Sequence, residues 1–102
     1  MLPKENRIRD DKEIRRIIRN KQIHRTSSLL ELFAEPSDQN RILVICSKKF
    51  GSAVRRNRIR RVLAGLLLEK WRNSNKKFNF VFRVRGIIVN DEILEAEIAR
   101  LS

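Results

Sequence analysis

The segment from Ala53 to about Trp71 holds no proline and one glycine, Gly65, and it begins as a run of arginines and ends as a run of leucines. At 100° per residue Ile59, Val62, Leu63, Leu66 and Leu67 fall on one stripe, with Arg56, Asn57, Arg60 and Arg61 opposite. A helix with one such stripe must lay it against a second layer, so the chain needs a sheet or further helices to cover it. Gly51 breaks the preceding strand and Ser52 is placed to cap the helix, so the element has a defined start.

The covering layer is legible on both sides of that helix. Phe78, Phe80, Phe82 and Val84 alternate with Asn79, Val81, Arg83 and Arg85, a period of two that predicts a long strand with one apolar face. Ser28 to Glu35 and Arg41 to Ser47 read as two further strands, and the turn formers of "EPSDQN" between them predict a hairpin. Arg9 to Asn20 carries Ile14, Ile17 and Ile18 at helical spacing behind Asp10 and Asp11, with Arg15, Arg16 and Arg19 on its other face. Glu92 to Leu101 repeats the pattern with Ile93, Leu94, Ile98 and Leu101, capped by Asn90 or Asp91. A chain of 102 residues with 41% hydrophobic residues fits one domain around a single core, spanning residues 1–102.

Charge narrows the partner. The chain carries 24 Lys and Arg against 12 Asp and Glu, a formal net charge of +12, which a polyanion would offset. No acid occurs from Arg41 until Glu69, so the arginine face lacks the alternating partners of a merely solvated helix. Guanidinium groups fork onto phosphate and stack on bases, which suits folded RNA. A DNA-binding or ribosomal protein is compatible with the same charge. A reader of the major groove would mix Asn, Gln and Ser among its arginines, whereas Asn57 stands alone between Arg55 and Arg61. A membrane-surface helix would turn its stripe to lipid and leave the strands uncovered. No apolar run reaches spanning length and Met1 to Asn20 lacks a secretory core, so the expected setting is cytoplasmic with no membrane partner. Cys46, alone in an apolar run, reads as a buried thiol, and His24, the only histidine, as a strand-edge residue without an orienting partner nearby in sequence. Trp71 and Phe33 read as core. No catalytic or metal-ligating constellation is visible.

The stretch "SKKFGSAVRRNRIRR" resembles the signature of the bacterial ribonuclease P protein subunit, in which S-K-K-x-G-x-A-V leads into R-N-R-x-(K/R)-R. Every one of these positions matches, and "LPKENRIR" is similar to the family's basic N-terminus. The resemblance implies an α/β (α+β) two-layer sandwich: a mixed sheet of about four strands, an N-terminal helix, a C-terminal helix, and the long basic helix in a left-handed crossover between parallel strands. The general rule alone predicts a right-handed one. It also implies a function, in which a separate RNA subunit holds the active site and its Mg2+ and removes the 5′ leader of precursor tRNA. The protein, one per RNA and with no cofactor of its own, helps to bind that precursor. Lys48, Lys49, Arg56, Asn57, Arg58, Arg60 and Arg61 match the motif positions implied to meet the RNA subunit or lie beside it. A cleft between the first helix and the sheet is implied to hold the leader, with Ile14, Ile18, Phe80 and Arg85 at the matching positions. Relatives often carry aromatics there, whereas this chain has isoleucines on the helix and no Tyr.

Overall fold

A computed structural model describes residues 10–72 and 76–101, with side chains along the long helix as far as Gly65. The N-terminal "LPKENRIR" stretch and the side chains of Leu66, Leu67 and Trp71 lie outside the described residues. The elements are α1 (Asp11–Asn20), β1 (Ile23–Thr26), β2 (Leu30–Pro36), β3 (Arg41–Ile45), a 3-10 turn (Lys48–Phe50), α2 (Ala53–Arg72), β4 (Phe78–Val84) and α3 (Asp91–Arg100). Capping follows the sequence. Asp10 accepts from the Lys12 amide at the start of α1, Asn90 rather than Asp91 accepts from Ile93 N at the start of α3, and Ser52 Oγ accepts from Arg55 N in α2.

The strand order is β1-β2-β4-β3, a mixed sheet with β3 and β4 parallel and joined through α2. This corrects the expected hairpin of β2 with β3, because β4 lies between them, antiparallel to β2. The turn formers reverse the chain but do not choose its neighbour. Ser37 N bonds Lys77 O and Asn40 Oδ1 accepts from Phe78 N, so the connection arches across the start of β4. The hairpin that does form is β1 with β2, closed by Ser27 N on Leu30 O. Nor has β4 a single apolar face: Val81 is fully buried on one side while Phe82 and Val84 are buried on the other. A central strand covered on both faces is read as one-sided when a single residue, Val81, carries most of the second face.

The larger core lies on the face shared by α2 and α3, where Ile59, Leu63, Leu94 and Leu101 meet Leu30, Ile42, Val44, Phe82 and Val84. Cys46 is buried there as expected, and burial pushes its thiol pKa up despite nearby Arg60 and Arg56. The smaller core lies on the opposite face, where Ile17 of α1 sits on Phe33 and Val81 with Ile14, Ile18, Leu43 and Ile45 around it.

Two polar arrangements lock these layers. Under the start of α1, Asn79 is 2% exposed and bonded through both ends of its amide: its Oδ1 accepts from Arg41 Nε at 3.0 Å and its Nδ2 donates to Glu35 Oε1 at 3.0 Å. Arg41 and Glu35 in turn hold Glu13 and Arg16 of α1, at 2.8 and 2.7 Å. On the other face Glu97 of α3, 3% exposed, accepts from Ser27 Oγ at 2.9 Å and from Leu29 N, fastening the β1–β2 turn to the helix. Its second oxygen takes Arg100. Glu97→Ala strands the half-buried Leu29 amide and leaves the Ser27 hydroxyl only Leu30 O, and is expected to cost about 1–3 kcal/mol, with Glu97→Gln costing less because one acceptor survives. Urea unfolding of the RNA-free protein measures both. Equal stabilities for wild type and Glu97→Ala would mean that the turn is held by other interactions.

Candidate nucleic-acid interface

The motif begins as a turn. Ser47 Oγ accepts from Lys49 N and Ser47 O accepts from Phe50 N, closing the 3-10 turn, after which Gly51 takes φ 155°. A side chain at Gly51 would be strained in that conformation, and its Cβ would lie 3.1 Å from Arg55 Cγ. The chain thus passes from the end of β3 into α2 within a few residues. Lys48 and Lys49 are exposed on the turn, the Lys49 ammonium 5.1 Å from the Phe50 ring centroid.

Along α2, Ile59 and Leu63 are each 1% exposed and hold the helix down, which leaves Asn57 and Arg61 pointing outward. Arg56 and Arg60 flank the buried stripe and are half-buried, rather than lying on the outermost face as the wheel suggests. Arg56 Nη1 donates to Gly51 O at 3.1 Å and Arg60 Nη1 to Asn57 Oδ1 at 3.2 Å. Arg58 turns sideways onto Asp91 at the head of α3, with Nε 3.2 Å from Oδ2, and Arg55 lies 3.9 Å from the same carboxylate. The hydrogen bond from Arg58 holds Asp91 below the usual carboxylate range. Of the motif residues, Lys48 and Arg61 are exposed and have no charge partner among the described residues, whereas the guanidinium of Arg58 is already engaged.

A second basic surface opens on the α1 face of the sheet. Register places Thr26, Glu31, Arg83 and Ile45 in one cross-strand row. Glu31, Arg83 and Ile45 of this row, with Ser47, Lys49, Phe50, Val84 and Arg85, line a shallow groove of about 500 Å³. Glu31 is the acid at its floor, 8% exposed. Burial pushes the Glu31 pKa up, but hydrogen bonds from His24 (2.7 Å) and Arg83 (Nε, 2.8 Å) outweigh it and hold the carboxyl ionised below its usual range. His24 stacks on Phe33 with ring centroids 4.6 Å apart and planes 12° from parallel, and the Arg83 guanidinium lies 5.3 Å from the Phe33 centroid.

The four residues matched to a leader cleft do not share this surface. Ile14 and Ile18 flank the buried Ile17 and are half-buried against the smaller core, and Arg85 lines the groove. Phe80 is turned to the opposite face and packs on the larger core, because period-two alternation puts it with Phe82 and not with Arg85. Sequence reasoning missed Arg83, Glu31 and the partner of His24. The available signal was Glu31 itself, an acid between Leu30 and Leu32 in a strand, which demands a cation across the sheet. Phe33 is core, as expected, at 2% exposure. Among the described residues no three His, Cys, Asp or Glu side chains gather as a metal site, and no helix is long and apolar enough to cross a membrane.

A model of the ribonuclease P family matches residues 2–101. The ribonuclease P protein component of Coprothermobacter proteolyticus is 38% identical over 69 residues, which make up 68% of this chain and 54% of that protein, so the chain spans about half the length of that relative. The fold is similar to the RNase P protein of Staphylococcus aureus, with a TM-score of 0.79 at 17% identity over 94% of this chain and 91% of that one. A mutant of the S. aureus protein, described as defective in mRNA degradation activity, superimposes with a TM-score of 0.76 at 20% identity, over 96% and 86% of the two chains. The sheet order, the parallel pair bridged by the arginine helix and the near end-to-end family match agree with one another, and the chain belongs to the ribonuclease P protein family.

Proposed function

We propose that this chain is the protein subunit of ribonuclease P, working in the cytoplasm with one catalytic RNA to remove the 5′ leader of precursor tRNA. The observation that carries this reading is the placement of two basic surfaces on either side of one short turn. The outer face of α2, with Arg61 exposed on it, Arg56 and Arg60 along its flank and Lys48 exposed on the turn before it, is a fixed row suited to a folded RNA backbone. The groove of Lys49, Arg83 and Arg85 is shallow and open, a shape suited to a single strand. In this reading α2 meets the catalytic RNA while the groove receives the leader. The leader then lies beside the RNA that cuts it, and fixed cations replace part of the Mg2+ needed to bring two polyanions together. Chemistry and Mg2+ belong to the RNA, and the protein contributes binding and orientation.

Cleavage of a precursor tRNA by a ribonuclease P RNA at low Mg2+ is expected to rise when this protein is added, while RNA-free protein cuts nothing. Arg60→Ala with Arg61→Ala should weaken assembly with the RNA and lower its log-affinity against log-salt slope by roughly one unit for each phosphate left unneutralised, carrying over the duplex rule. Arg58→Ala should change the slope less, since Asp91 already neutralises that guanidinium. No stimulation of cleavage by the protein would refute the assignment, and a larger slope change for Arg58→Ala would put the RNA surface on the α3 side of the helix.

A further inference from the structure

We propose that His24, which stands beside the groove and bonds the Glu31 that lines it, is a nucleobase platform, a stacking surface for one unpaired nucleotide of a single-stranded RNA. The inference rests on the reading of the groove as a leader site and goes beyond it by naming the residue that grips a base. Base stacking needs a flat ring with one face backed by protein, the other face open, and an orientation fixed in advance. Among the described residues each Phe is buried or half-buried, and His24 is the one aromatic ring in an exposed position. One face of its imidazole lies on Phe33, at 4.6 Å and 12°, and Phe33 is 2% exposed, so that face is sealed. The His24 side chain is nonetheless 40% exposed, which leaves its other face open.

Its orientation is fixed by Glu31. The ionised carboxylate accepts the Nε2–H of His24 at 2.7 Å with one oxygen and Arg83 with the other. The ring is therefore held against rotation about its Cβ–Cγ bond before any RNA arrives. Both oxygens of Glu31 are used, so the one acid on the groove floor presents little free negative charge to a phosphate. Arg83 joins the two halves of the site: it holds Glu31 and also lies over Phe33, while its side chain, 45% exposed, borders the groove with Arg85 and Lys49. Cations for the backbone and a ring for the base then stand on one sheet face, the arrangement by which single strands are held without reading their sequence.

The test uses the protein assembled with a ribonuclease P RNA and measures the affinity for precursor tRNA with a leader of several nucleotides relative to mature tRNA. His24→Ala is expected to lower that ratio about tenfold, the effect of losing one stacked base, with His24→Phe restoring most of it. With 2-aminopurine placed at successive leader positions, one position should be quenched on binding to wild type, bright with His24→Ala and quenched again with His24→Phe. Arg85→Ala is the companion variant. If Arg85→Ala lowers the ratio while His24→Ala leaves both ratio and quenching unchanged, the platform is refuted and the groove reading stands. If wild type shows no preference for the leader at all, the groove reading itself fails. Should His24→Ala prove unstable in a melting curve, His24→Phe decides alone: loss of the ratio and of quenching in a folded His24→Phe protein overturns the proposal.

Discussion

Burial of Ile59 and Leu63 against the sheet fixes everything this chain presents to a partner. Each is 1% exposed, and full burial of side chains of this size is worth about 1.5–3 kcal/mol apiece. Because α2 joins the parallel strands β3 and β4, this packing sets both the roll of the helix and its position along the sheet. The roll decides which arginines are free. Arg61 is carried to the outside, Arg56 and Arg60 are drawn to the flank, and Arg58 is brought within reach of Asp91. A helix rotated by one residue, about 100°, would bury arginine and expose isoleucine. The cost of burying an unpaired charge excludes that alternative.

The same sheet supports a different kind of surface on its other side. There α1 is held by Ile17 and by the Glu13–Arg41–Asn79–Glu35–Arg16 network, and beside it Arg83 stays exposed over the buried Glu31. Exposed ion pairs contribute little alone, but here they converge on a buried amide whose donor and acceptor must both be satisfied. The turn from Ser47 to Ser52 links the two sides. It ends one strand of the open face and starts the helix of the covered one, so that Lys48 and Lys49 stand at the junction of both basic surfaces.

Local signals in the sequence were enough for the helices and their caps. The start of α2, its cap at Ser52 and the buried positions Ile59 and Leu63 each involve neighbours within a few positions, and the structure agrees with them. By contrast, β3 ends at Ile45, ahead of Gly51, and Arg56 and Arg60 lie on the flank of the helix. Strand pairing was not legible in the same way. "EPSDQN" specifies a reversal, but Asn40 Oδ1 accepts from Phe78 N in β4 and Ser37 N bonds Lys77 O just before it, and nothing in the local sequence says so. The partners that remove charges from the surface are equally remote: Arg58 lies 33 positions from Asp91 and Arg83 lies 52 from Glu31. The motif was therefore readable as a set of cations, while the division of those cations between protein and RNA required the fold. Phe80 shows the opposite error. Its residue type matches a binding position, yet its parity in the strand commits it to the core.

In the proposed function one face of this chain meets the catalytic RNA and the other meets the leader. Cys46 is buried, so a single exposed cysteine can be introduced and labelled selectively. Iron–EDTA tethered at Arg61→Cys on α2, and separately at Arg85→Cys in the groove, would cut whichever RNA strand lies nearest in the assembled complex with precursor tRNA. Cuts are expected in the ribonuclease P RNA from position 61 and in the 5′ leader from position 85. Cuts in the leader from position 61, or in the ribonuclease P RNA alone from position 85, would contradict that reading.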